Sequence, residues 1–169
     1  MSIKPRAPVP ALSLPMVGGQ FELAQSAPGR FTLLVVYRGL HCPICKTYLR
    51  DLDRRLAEFE ALGVKAVAAS TDTRERAEQS KADWGIEHLP IAYGLGIEQA
   101  RTWGLYISAG TKDGEPPLFA EPGLFLVRPD QTLYAASVQT MPFARPSFSD
   151  VLAAVKFVTE KDYPARGEA

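Results

Sequence analysis

Residues 31–37 read Phe-Thr-Leu-Leu-Val-Val-Tyr, an almost unbroken apolar run rich in β-branched side chains. A strand with no polar face is covered on both sides, as in the middle of a parallel sheet. Downstream, Leu49, Leu52, Leu56, Phe59 and Leu62 fall on one helical face, and Gly63 ends the pattern. Pro43 suits the first turn of that helix, where its missing N–H is not needed. Val64 to Ser70 is again strand-like. The three segments form a βαβ unit, and residues 38–42 occupy the carboxyl end of its first strand. Active groups in such sheets sit just past the strand ends.

The other elements follow from the same reading. Ala11–Pro15 and Gln20–Leu23, around Val17-Gly18-Gly19, read as a hairpin. Thr71 to Trp84 is a charged helix with Thr71 or Asp72 as N-cap. A short strand, Leu89 to Tyr93, and a short helix, Ile97 to Trp103, come next. Ala109 to Pro117 reads as an exposed loop. Gly123–Val127 and Thr132–Val138 are strands joined by Arg128-Pro129-Asp130-Gln131, and a last amphipathic helix carries Phe148, Val151, Leu152, Val155 and Val158. The order predicts an α/β fold with helices on a central sheet. One domain over 1–169 is expected, with an N-terminal arm at 1–10 and a C-terminal tail at 164–169 that frays.

Lys plus Arg and Asp plus Glu both number 19, so the formal net charge is zero. That balance argues against a nucleic-acid partner, which needs a basic footprint, and against an anionic membrane surface. No export signal or spanning segment is read, so a cytoplasmic protein is expected.

The two cysteines stand as Cys42-Pro43-Ile44-Cys45. Free N–H groups and aligned amide dipoles at the helix N-terminus favour a thiolate on Cys42, the form that attacks peroxides and disulfides. Cys45, one turn in, is within reach for a disulfide and less exposed. The alternatives are two small buried hydrophobes or a zinc site. A lone CxxC supplies only two of the four ligands that structural zinc takes, and the chain has two histidines, so no metal and no cofactor is expected. His41 either stabilises the Cys42 thiolate as a cation, takes its proton as a base, or sits at the solvent edge. Arg38 is placed to hold the thiolate or a peroxide oxygen. Trp84 and Trp103 are read as core, and Met141-Pro142-Phe143 as loop packing or a pocket mouth.

The segment Tyr37-Arg38-Gly39-Leu40-His41-Cys42-Pro43-Ile44-Cys45 resembles thioredoxin-fold proteins. It is most similar to the peroxiredoxin-like branch of the alkyl hydroperoxide reductase C and thiol-specific antioxidant (AhpC/TSA) family. Ala11–Leu23 resembles that family's N-terminal hairpin, Val67–Asp72 its second core strand, and Pro122–Asp130 the strand and turn before its last hairpin strand. The resemblance implies a thioredoxin-like fold, with a central mixed sheet, flanking helices and an N-terminal β-hairpin. It also implies that Cys42 is the attacking cysteine and Cys45 its resolving partner. Two positions depart from the family pattern: Gly39 stands where the P-x-x-x-T-x-x-C motif has Thr, and Pro122 stands where an Arg precedes the Gly-Leu-Phe strand. Pro122 instead resembles the cis-proline that faces the CxxC of thioredoxins, so the Glu121–Pro122 bond is expected to be cis and close to Cys42.

These readings predict a thiol peroxidase acting on hydrogen peroxide or organic hydroperoxides. A Cys42 sulfenic acid would be resolved by Cys45, and an external thiol such as thioredoxin or glutathione would supply electrons. The same CxxC would also serve a thioredoxin-type oxidoreductase acting on protein disulfides, and a non-catalytic redox-sensing module is a third reading. Homodimerisation is left open.

Overall fold

A computed structural model describes residues 2–169; residue 1, part of the arm read at 1–10, lies outside the described residues. The hairpin is β1 (Ser13–Met16) and β2 (Gly19–Glu22), followed by a single 3-10 turn at Leu23–Gln25. The βαβ unit is β3 (Phe31–Val36), α1 (Pro43–Ala61) and β4 (Val64–Ala69). Next come α2 (Arg74–Asp83), β5 (Ile91–Ala92), α3 (Ile97–Thr102), β6 (Ile107–Ala109) and β7 (Leu118–Ala120). The chain ends with β8 (Gly123–Val127), β9 (Leu133–Val138) and α4 (Phe148–Lys161).

Seven strands form one mixed sheet in the order β2-β1-β5-β4-β3-β8-β9. β3, β4 and β5 run parallel, while β8 lies antiparallel to β3 on its other side. The apolar run is therefore central, and all six residues of β3 are buried. Its alternating side chains feed two cores. Leu33 and Val35 pack with Leu49, Leu52 and Phe59 of α1 and Phe148 and Val155 of α4. Leu34 and Val36 face the opposite side, with Trp103, Leu105 and Phe125. An unbroken apolar strand is what a sheet covered on both faces requires. Trp84 and Trp103 are both buried, as the sequence suggested. No helix among the described residues is long and apolar enough to cross a membrane.

The structure differs from the sequence reading at several points. The polar stretch read as a loop at Ala109–Pro117 is only the tip of a two-stranded sheet, β6 with β7, whose strands are too short to show a pattern. The N-cap of α2 is Thr73, whose hydroxyl accepts the Arg76 N–H at 3.3 Å; Asp72 is committed elsewhere. The tail expected to fray at 164–169 folds back: Ala165 is buried, Glu168 pairs with Arg6 at 3.6 Å, and Gly167 lies against Pro5. The arm is tied down too, with Arg6 donating its N–H to the Leu133 carbonyl at 2.7 Å and Val9 to the Gln131 carbonyl at 2.9 Å.

Candidate active site around Cys42 and Cys45

Cys42 is the N-cap of α1, in extended conformation, with Pro43 in the first turn. Its Sγ accepts the backbone N–H of Cys45 at 3.2 Å, as a capping side chain does. The Cys45 thiol, three residues on, is the largest influence drawing the Cys42 thiol below its ordinary range. Hydrogen bonding from Cys45 outweighs the opposing effect of burial, and Arg145 and Arg38 add positive potential. Together they bring the Cys42 pKa down to about 6. Burial and its partnership with Cys42 push the Cys45 thiol the other way, far above the ordinary thiol range. Both cysteines are reduced and both are buried, with Cys45 wholly enclosed and Cys42 2% exposed. The pair thus holds a sulfur ready to ionise beside one that keeps its proton.

The loop that delivers Cys42 is fixed by Asp72, buried at the end of β4. Asp72 Oδ2 accepts the Leu40 N–H at 2.8 Å, and Oδ1 accepts Arg76 Nε at 3.0 Å. Gly39 has φ +132°, and a Cβ placed on it would come within 2.7 Å of Asp72 Oδ1. A Thr at this position has neither the conformation nor the space. That is the physical reason for the departure from the family motif at residue 39.

Arg38 is brought to the site but does not point freely at the sulfur. Its Nε lies 3.2 Å from Glu121 Oε2, and its guanidinium sits 4.8 Å above the Phe119 ring. The approach to Glu121 is too poorly aligned for a hydrogen bond, so Arg38 Nε and Glu121 Oε2 are both buried without a partner; the other carboxylate oxygen accepts Ser108 Oγ at 2.6 Å. His41 packs edge-on against Phe119, with ring centroids 4.7 Å apart, and neither ring nitrogen has a hydrogen-bond partner. Burial first, and then the nearby Arg38 charge, lower its pKa below 6.5. Its ring nitrogens are enclosed although the residue as a whole is half-buried, and the lowered pKa disfavours the cation among the three roles read from the sequence.

Pro122 is also corrected. No peptide bond among the described residues is cis, so Glu121–Pro122 is trans. The backbone on each side is engaged in extended pairing: Glu121 N–H donates to the Tyr106 carbonyl at 2.8 Å, and the Pro122 carbonyl accepts the Gln139 N–H at 2.9 Å. The chain runs straight into β8 with no bend to present to a thiol. Pro122 instead lines a small enclosed space with Tyr48, Arg145 and Pro146.

Arg145 is the residue that sequence reasoning missed. It comes from the segment between β9 and α4, and its Nη1 donates to Cys45 Sγ at 3.5 Å. Its guanidinium lies 4.0 Å above the Tyr48 ring. Beside it, Ile44, Tyr48, Pro142, Phe143 and Phe148 line an open, mostly apolar groove of about 470 Å³. Of Met141-Pro142-Phe143, Pro142 and Phe143 line this groove, and Met141 and Phe143 are exposed. No cluster of three or more metal-ligating side chains exists among the described residues.

The model of the AhpC/TSA family matches residues 5–136, most of the chain. The chain belongs to the AhpC/TSA family. Solved structures agree in fold. AhpC of Mycobacterium tuberculosis superposes with a TM-score of 0.77 at 15% identity, over 98% of each chain. Peroxiredoxin Q of Xanthomonas campestris gives 0.67 at 26% identity, over 88% of this chain and 91% of that one. A putative thiol:disulfide interchange protein DsbE from Chlorobium tepidum gives 0.68 at 18% identity, over 94% and 99%. A search of curated proteins finds no match. AhpC/TSA membership and the mixed sheet agree with a thioredoxin-like, peroxiredoxin-type architecture.

Proposed function

We propose that this AhpC/TSA member is a thiol peroxidase. The observation that carries the reading is the Cys42 sulfur itself: it caps α1 by accepting the Cys45 N–H at 3.2 Å, and the Cys45 thiol with the nearby arginines draws its pKa down to about 6. At neutral pH it is largely thiolate, the species that attacks a peroxide O–O bond. Attack transfers one oxygen to Cys42 as a sulfenic acid and releases water or an alcohol. Cys45, within the first turn, condenses with it to a disulfide, and an external thiol such as thioredoxin or glutathione restores the pair. Arg38, held against Glu121, supplies positive potential near the thiolate. His41 packs edge-on against Phe119 beside Arg38, and Pro122 lines the small space next to Arg145. No resident cofactor or metal enters the cycle, and a cytoplasmic setting suits a pair that must be re-reduced. A homodimer remains part of the proposal only through the peroxiredoxin resemblance.

The second reading is a thiol–disulfide oxidoreductase. It is favoured by the cysteine spacing and by the likeness to a DsbE-type fold. Cys45→Ser separates the two. A peroxidase variant treated with peroxide carries a sulfenic acid on Cys42 that a dimedone-type probe captures. A disulfide reductase variant instead accumulates mixed disulfides and gives no probe adduct, which would overturn the peroxidase assignment.

A further inference from the structure

Resolution places a demand on Cys45 that the first oxidation does not. Cys45 must lose its proton to attack, yet it is enclosed, beside an anionic Cys42, and in a setting that strongly favours the thiol. The groups facing it are Cys42 in the same turn, the Arg38 backbone, the ring of Tyr37 at the end of β3, Tyr48 one turn along α1, and Arg145. Of these, Arg145 alone is a cation whose donor reaches the sulfur, at 3.5 Å.

Arg145 is also held in place. The guanidinium stacks on Tyr48 at 4.0 Å, and the Tyr48 hydroxyl donates to the Pro146 carbonyl at 2.6 Å, next to Arg145 in sequence. Tyr48 in turn packs on Phe148, with ring centroids 4.2 Å apart. The other terminal nitrogen, Nη2, is buried with no hydrogen-bond partner. A buried guanidinium donor without a partner calls for an explanation, and a charge that forms beside it during the reaction is one.

We propose that Arg145 is the catalytic cation of the resolving step, stabilising the Cys45 thiolate as it attacks Cys42. The proposal deepens the redox reading of the pair and holds for either electron acceptor. From a sulfenic acid, the Cys45 sulfur bonds to Cys42 Sγ, the S–O bond breaks, and the hydroxyl leaves as water with the proton given up by Cys45. From a mixed disulfide, the same S–S bond forms and the bound thiolate leaves. In both cases Cys45 is oxidised and the Cys42 adduct is reduced. Arg145 lies on the Cys45 side of the pair, on a segment far from residue 122, where the family pattern has its Arg.

An aromatic disulfide such as 5,5′-dithiobis(2-nitrobenzoic acid) separates the two steps without peroxide. Attack by Cys42 releases one thionitrobenzoate in a second-order phase. Attack by Cys45 on the Cys42 mixed disulfide releases a second in a first-order phase, which Cys45→Ser abolishes. At pH 8, Arg145→Met is expected to slow the first phase less than the second, since Arg145 touches Cys45 and acts on Cys42 only through its positive potential. The same variant should slow the second about tenfold, the effect of losing one charge-assisted contact to a developing anion. The pH midpoint of the second phase should rise, and Arg145→Lys should recover most of the rate. An unchanged second phase in Arg145→Met, or equal slowing of both phases, would overturn the proposal. Failure of the wild-type protein to form a sulfenic acid with peroxide would remove the peroxidase reading and leave this assignment standing on the two phases.

Discussion

Cys45 donates its backbone N–H to Cys42 Sγ at 3.2 Å, so the helix cap and the ionisable sulfur are one atom. Folding the helix and stabilising the thiolate are therefore the same event. Alkylation of Cys42 by iodoacetamide should show a pH midpoint near 6. Cys45→Ala removes the neighbouring thiol, the largest cause of that low value, and should move the midpoint up by about one unit, equivalent to about 1.4 kcal/mol. A midpoint that stays put in the variant would assign the activation to the helix N-terminus and the arginines instead.

The same shift sets a pH dependence of stability. Cys42 has a folded pKa of about 6 against 9.0 for an unperturbed thiol, so it favours folding fully above pH 9. That contribution declines as pH falls toward 6 and is gone below it. Cys45 has the opposite sign: its raised pKa favours folding below its unperturbed value of 9.0, and the contribution is lost progressively as pH rises beyond it. In denaturant titrations, Cys42→Ser should remove the part of the pH slope between 6 and 9 while leaving the alkaline decline. A slope unchanged by the substitution would show that other groups titrate there.

Glu121 offers Arg38 a countercharge in a nearly enclosed setting, with the carboxylate side chain only 4% exposed. Glu121→Gln leaves the arginine without its anion. Because Arg38 keeps some contact with water, the loss is smaller than for a fully buried pair, about 2 kcal/mol. For a chain of this size that lowers the thermal midpoint by roughly 6 °C. The released cation also raises the positive potential at Cys42, so its alkylation midpoint should fall in the same variant. Calorimetry and the alkylation profile check the two effects independently, and a rise in the midpoint would contradict the placement of Arg38.

Restoring the family's Thr at residue 39 should damage the site rather than improve it. Gly39 has φ +132° and faces Asp72 Oδ1, with no room for a Cβ. Gly39→Thr, and already Gly39→Ala, should cost about 3 kcal/mol of stability through backbone strain and displacement of the buried carboxylate. Peroxide oxidation of Cys42 should slow as well, because Asp72 would no longer hold the Leu40 N–H. A faster reaction in Gly39→Thr would show that the loop can rearrange around a side chain.

The architecture was legible because its strongest signal is physical: β3 is apolar at every position but Thr32 and buried at all six, which suits a central strand. The four apolar positions Leu49, Leu52, Leu56 and Phe59 of α1 and the helix-start proline placed Cys42 at the start of the helix. The β6–β7 sheet was not legible, since its strands are too short for alternation to show. Asp72 looked like a cap because it precedes a helix, but a buried carboxylate reaching back to Leu40 leaves no local mark in sequence. Arg145 was hidden for the same reason. Its partner Cys45 is a hundred residues away, and only the third dimension joins them. The one local hint was the apolar Met141-Pro142-Phe143 just before it.

That apolar segment supports the last expectation. Phe143, 56% exposed, lines the groove beside Ile44, which stands between the two cysteines in sequence. Hydrogen peroxide has no apolar body to cover such a surface, whereas a bulky organic hydroperoxide does. Phe143→Ser should therefore leave the rate of Cys42 oxidation by hydrogen peroxide unchanged. With cumene hydroperoxide the rate should fall about fivefold, equivalent to losing about 1 kcal/mol of partial apolar burial. Single-turnover oxidation followed by intrinsic fluorescence reads both substrates on the same preparation. Equal rates for the two peroxides in wild type and variant would mean that the groove takes no part in admitting substrate. Slowing only at the re-reduction step would instead assign the exposed aromatic edge to docking of the external thiol.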